Sequence, residues 1–133
     1  MWSGAVRRQG EPSVTTDIST RREDGVVVVT PVGEMDAVTS PALAEVLEGV
    51  LQELPVGVVV DLAKVGFCDS RCIGVLVAAF RHARDQGLGL VVAEPQQQVN
   101  RLFVIAGIDQ VIPILPSTGA AVDSLRDQGA REG

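Results

Sequence analysis

The sequence predicts an α/β domain, a mixed and mostly parallel sheet of four to five strands packed with about four helices. Three observations carry this. Short apolar runs at Val26–Val29, Val56–Leu62 and Leu88–Ala93 lack alternation, as strands buried on both faces do. Between them lie stretches whose apolar residues recur at helical spacing. Gly, Pro, Asp and Ser mark the junctions.

Taken in order, Val14–Ser19 alternates weakly and is expected to be an edge strand, joined by a hairpin at Arg22–Gly25 to the β-branched run Val26–Val29, which ends at Pro31. Thr39-Ser40-Pro41 supplies a cap and an early proline. Leu43, Val46, Leu47, Val50, Leu51 and Leu54 then repeat with a helical period until Pro55. Val56–Leu62 follows as a second buried strand. Beyond Ser70, the residues Ile73, Leu76, Val77, Phe80 and Ala83 form an apolar stripe, with Arg81, Arg84, Asp85 and Gln86 toward solvent and Gly87 as a stop. His82, the single histidine, falls on the solvated or boundary side. After the strand Leu88–Ala93, a short helix carries Val99, Leu102, Phe103 and Ala106 and stops at Gly107. Val111–Leu115 reads as a last strand that Pro113 either places at an edge or makes short. Ser117 or Thr118 caps a final helix through Val122 and Leu125.

A chain of 133 residues holds one domain with a sizeable core. We place that domain at residues 13–126, between flexible polar tails at 1–12 and 127–133. Apolar residues make up 46% and aromatics 3%, so the core is aliphatic and there is no aromatic platform for stacking bases. A formal charge of -6 and a pI near 4.6 oppose contact with nucleic acid or an anionic membrane surface. No apolar run approaches the roughly 18 residues of a membrane span, and the N-terminus has no apolar stretch of signal-peptide length. The expected compartment is the cytoplasm.

Cys68 and Cys72 are the only cysteines, too few for a disulfide scaffold or an all-cysteine zinc site, and one histidine completes neither a metal set nor a hydrolytic triad. We therefore expect no metal, no cofactor and no catalytic residue. The most informative stretch runs from Val58 to Gly74, where a buried strand passes through Phe67-Cys68-Asp69-Ser70 into a helix. A serine there sits at or beside the N-cap, where backbone N–H groups and the helix dipole favour an added negative group. A plain capping serine explains the same pattern.

Four blocks in this order resemble the STAS domain family, named for sulfate transporters and anti-sigma factor antagonists, over roughly Val26 to Leu125. They are Gly33-Glu34-Met35-Asp36; Val59-Val60-Asp61-Leu62 with Val65 and Phe67; Asp69-Ser70 with Ile73-Gly74; and Val99 to Asp109, ending Ala106-Gly107-Ile108-Asp109. The resemblance is to the stand-alone bacterial anti-anti-sigma members. It implies a non-catalytic protein whose Ser70 is phosphorylated by an anti-sigma factor that is also a serine kinase of the GHKL type. The unphosphorylated form binds that partner and frees a sigma factor, and a phosphatase reverses the modification. By the same resemblance Glu34, Met35, Asp36, Asp69, Ser70, Arg71, Cys72 and Ile73 are candidate partner contacts.

The family pattern continues after the serine with a small hydroxyl residue and then Gly, where this chain has Arg71 and Cys72. Arg71 puts a long cation beside the acceptor hydroxyl, able to anchor a phosphate or to obstruct a kinase. A constitutive, unphosphorylated interaction subunit of a scaffold or a transport complex is the alternative. Cys68 and Cys72 flank Ser70 and are candidate redox residues, because a thiol at a helix N-terminus can have a lowered pKa. Their occurrence as small buried residues is the simpler account.

Overall fold

A computed structural model describes residues 17–132. The hairpin forms from β1 (Asp17–Glu23) and β2 (Val26–Met35), antiparallel in a register from Asp17↔Val32 to Glu23↔Val26. Its turn is Asp24-Gly25, with φ of 55° and 85°, the positive values that a two-residue hairpin loop requires. The first strand thus runs on to Glu23, past the Ser19 at which the sequence suggested it ends. Arg22 and Glu23 belong to the strand, and Val14 to Thr16 fall outside the described residues.

β2 does not end at Pro31. It pairs in parallel with β3 (Gly57–Asp61) from Val26↔Gly57 to Val29↔Val60, then with β4 (Val65–Cys68) from Gly33↔Val65 to Met35↔Cys68. Pro31 falls in the gap between these ladders, where its missing N–H costs no bond to either partner. β4 is a strand the sequence did not announce, because Val-Gly-Phe-Cys is short and its pairing has an irregular register between Gly33 and Glu34. β5 (Gly89–Ala93) lies parallel to β3, and β6 (Ile114–Leu115) parallel to β5, giving the order β1-β2-β3-β5-β6 with β4 on β2. The sheet has six strands, one more than expected.

α1 (Ser40–Gln52) buries Leu43, Val46, Leu47, Val50 and Leu51. Leu54, expected to close that stripe, lies past the helix with φ of 53° and is 64% exposed. It precedes Pro55, which disfavours helical backbone at the residue before it. α2 (Ser70–Asp85) buries Cys72, Leu76, Ala79 and Ala83, so its inward stripe is rotated from the expected one, and Ile73, Val77 and Phe80 sit half-buried at its margins. α3 (Gln97–Ala106) ends at Gly107 as expected, and a single 3-10 turn, Ile108–Gln110, follows. Ser117 caps α4 (Thr118–Glu132), its Oγ accepting from Ala120 N at 3.0 Å, while Glu94 Oε2 accepts from Thr118 N at 3.0 Å. α4 continues beyond Asp127, where the sequence reading began a tail.

The buried strands are two-sided, and their alternate residues enter two cores. Val27, Val29, Val58, Val60, Leu90 and Val92 pack with α1, α2 and α3. Val26, Val28, Val59, Val91 and Ala93 pack with Ala121, Val122 and Leu125 of α4. Gly57 and Gly89 are register partners under that helix, and a Cβ on either would approach a Leu125 methyl carbon to 2.9 or 2.6 Å. Their bareness lets α4 lie close on the sheet.

Candidate functional site

The site forms where β2 and β4 end side by side. Met35 pairs with Cys68, and Asp69 N donates to Met35 O at 3.2 Å. The chain leaves β2 through Asp36–Thr39 into α1, and leaves β4 through Asp69 directly into α2. Glu34-Met35-Asp36 and Asp69-Ser70-Arg71, distant in sequence, therefore become neighbours.

The loop after β2 is braced from within. Asp36 Oδ1 accepts from Val38 N at 2.9 Å and Thr39 N at 3.1 Å. Thr39 Oγ1 donates to Glu34 O at 2.7 Å and accepts from Asp36 N at 2.9 Å. Ser40 Oγ donates to Asp36 O at 2.6 Å. The backbone donors hold the Asp36 carboxyl below its ordinary pKa, Thr39 contributing most and Val38 next. Thr39 occupies the N-cap position without a side-chain capping bond, so the expected cap is replaced by this brace.

At α2 the cap is Asp69, not Ser70. Its extended backbone (φ -102°, ψ -171°) and its Oδ1, accepting from Arg71 N at 2.9 Å and Cys72 N at 3.2 Å, satisfy the first turn. Ser70 is thereby the first residue of the helix, exposed and free of capping duty. Arg71 is exposed as well and makes no ion pair among the described residues. Ile73 is half-buried, Glu34 is exposed, and Asp36 and Asp69 are partly exposed. Met35 and Cys72, in contrast, are fully buried, so these two candidate contacts shape the site from beneath and present no side chain at its surface.

The cysteines are free and buried. A hydrogen bond with Cys68 and then burial push the Cys72 thiol well up from its ordinary pKa, the opposite of the lowering expected at a helix N-terminus. The Cys68 contact and burial thus disfavour a thiolate at Cys72.

Three features escaped the sequence reading. Phe67, opposite Glu34 in register, is 47% exposed, and Val38 in the braced loop is 69% exposed. Both give the acidic surface an apolar component. A groove of about 350 Å³ also runs between α1 and α2, lined by Leu47, Glu48, Ser70, Arg71, Gly74 and Ala78 among others. Glu48 Oε2 lies 3.1 Å from Nδ1 of His82, so the histidine is a partly buried contact to α1. The exposed apolar pair had no signal of its own, because exposure is set by how the strand and the loop pack in the fold.

Among the described residues no cluster of three His, Cys, Asp or Glu side chains could hold a metal ion, and no helix is long and apolar enough to cross a membrane.

The STAS domain model matches residues 17–121. An anti-sigma-B factor antagonist of Listeria monocytogenes is 33% identical over 104 residues, covering 77% of this chain and 89% of the relative. The crystal structure of an anti-sigma factor antagonist from Mycobacterium paratuberculosis is 30% identical with a TM-score of 0.73, covering 84% of this chain and 94% of that one. A Thermotoga maritima structure, 19% identical, superimposes with a TM-score of 0.77 over 82% of this chain and 94% of that one, which shows the shared fold. With the family model covering β1 through the start of α4, and the ends of β2 and β4 arranged as described, the chain belongs to the STAS domain family.

Proposed function

We propose that the protein is an anti-sigma factor antagonist, acting by binding an anti-sigma factor of the GHKL serine-kinase type in the cytoplasm and switched by phosphorylation of Ser70. The observation that carries this reading is the position of Ser70: exposed on the first turn of α2, relieved of capping by Asp69, and next to the Glu34–Asp36 loop. The γ-phosphoryl group of ATP passes to Ser70 Oγ, whose proton is lost as ADP leaves. The product carries about -1.5 to -2 extra charge. Beside Asp69, Asp36 and Glu34 this charge repels an acidic partner surface, while the helix N-terminus tolerates it, so release needs no refolding. A phosphatase resets the surface. The exposed and partly exposed members of the site, Glu34, Asp36, Asp69, Ser70, Arg71 and Ile73, are the proposed contacts, with Phe67 and Val38 adding apolar area. The protein does no catalysis and touches no nucleic acid in this scheme.

Similarity to proteins named anti-sigma-B factor antagonist supports the partner class. One observation favours a second reading, the constitutive interaction subunit: Arg71 stands exposed where an approaching kinase would meet a small residue in the family pattern.

Incubation with the cognate kinase and ATP, followed by mass spectrometry, separates the two. The switch predicts one phosphate on the wild type and none on Ser70→Ala, with a GHKL-type partner captured by Ser70→Ala and lost by Ser70→Asp. An unmodified wild type, or identical partners for all three forms, rejects it in favour of the constitutive subunit.

A further inference from the structure

We infer that Arg71 is the intramolecular counter-ion of a phosphate on Ser70, which mutes the charge switch in this chain. The inference rests on Ser70 being the phosphosite. Ser70 and Arg71 both line the groove between α1 and α2, so the two residues border one concavity although they are adjacent on the helix. The other charged residue of that groove, Glu48, already faces His82 at 3.1 Å. Asp69, the nearest carboxylate in sequence, directs Oδ1 at the backbone N–H groups of Arg71 and Cys72. The guanidinium consequently makes no ion pair among the described residues.

A guanidinium matches phosphate oxygens in a two-pronged arrangement that a serine at this position would lack. The side chain is exposed, so pairing with the phosphate needs a change of rotamer and no backbone movement. Part of the added negative charge is then cancelled within the chain, leaving less to repel an acidic partner.

The test installs phosphoserine at position 70 during translation, so it does not depend on a kinase accepting this site. The second pKa of the phosphate is read by phosphorus NMR titration in the Arg71, Arg71→Lys and Arg71→Ser forms. Loss of the cation is expected to raise that pKa by about 0.5 in low salt, with Arg71→Lys in between. The difference should close in 1 M salt, where screening acts over about 3 Å. Equal values in all three proteins overturn the inference. So does a difference that persists in 1 M salt, which would report altered structure instead of a paired charge. A kinase that fails to modify Ser70 would defeat the functional reading and leave this measurement standing.

Discussion

Two helices begin at the functional site, each next to an aspartate, and they use it differently. Before α1, Asp36 directs its carboxylate at the amides of Val38 and Thr39, outside the helix, and the buried Thr39 hydroxyl ties the loop back to Glu34. Before α2, Asp69 caps the helix itself. The first arrangement stiffens a loop, and the second releases the following serine. A serine at a helix start is informative about function when another residue satisfies the helix, and only the α2 start meets that condition.

The largest effect should come from breaking the α1 brace. Thr39→Val removes the hydroxyl that donates to Glu34 O and strands the Asp36 N–H in a part-buried loop, for a loss of about 2 kcal/mol in urea unfolding. A loss near zero would mean that the loop is not held by this hydroxyl. Asp69→Ala should cost about 1 kcal/mol, whereas Asp69→Asn, an equally good cap, should retain nearly all of the stability. Equal costs for both would point to charge, and not capping, as what Asp69 contributes.

A smaller, pH-dependent effect belongs to Asp36. Its folded pKa lies below the ordinary value of 3.8, so its stabilising contribution is complete above that value and disappears as pH falls through the lowered one. The stability gap between wild type and Asp36→Ala should therefore be constant from neutral pH to about pH 5 and shrink toward pH 3. Unfolding midpoints at the two ends of that range check it. The smallest effect is expected at Ser70: Ser70→Ala should change stability by less than about 0.5 kcal/mol, since an exposed side chain without a capping bond is being removed. A loss near 1 kcal/mol would return Ser70 to the role of a cap.

Much of the fold was legible because burial on both faces of a parallel strand leaves continuous β-branched runs, as at Val26–Val29 and Leu88–Ala93. The helix carrying Leu43 to Leu51 was equally plain, its caps and prolines agreeing with its period. β4 was not legible, since four residues with a glycine and no alternation carry no periodic signal. The extension of β2 through Pro31 was hidden for a related reason: proline is tolerated there only because one ladder stops and another starts on either side of it. At the site, Asp69-Ser70 could be singled out from local chemistry, but which of the two caps the helix could not. Both can accept from the first-turn amides, and the choice depends on the extended backbone at Asp69 that pairing of β4 with β2 imposes.

The cysteines mark the same boundary. Proximity to a helix N-terminus argued for an acidified thiol, but the core decided otherwise, because Cys72 points inward against Cys68 and burial disfavours the thiolate. What the sequence determined by itself was the α/β class, the placement of most elements and the candidacy of Ser70, all of which follow from periodicity, turn chemistry and a resemblance carried by short blocks. What only the tertiary structure decided was the exposure of Ser70, Arg71 and Phe67, the burial of Met35 and Cys72, and the joining of the Glu34–Asp36 loop to the start of α2. These depend on which strands pair and in which register, and register is settled by contacts between segments that lie tens of residues apart.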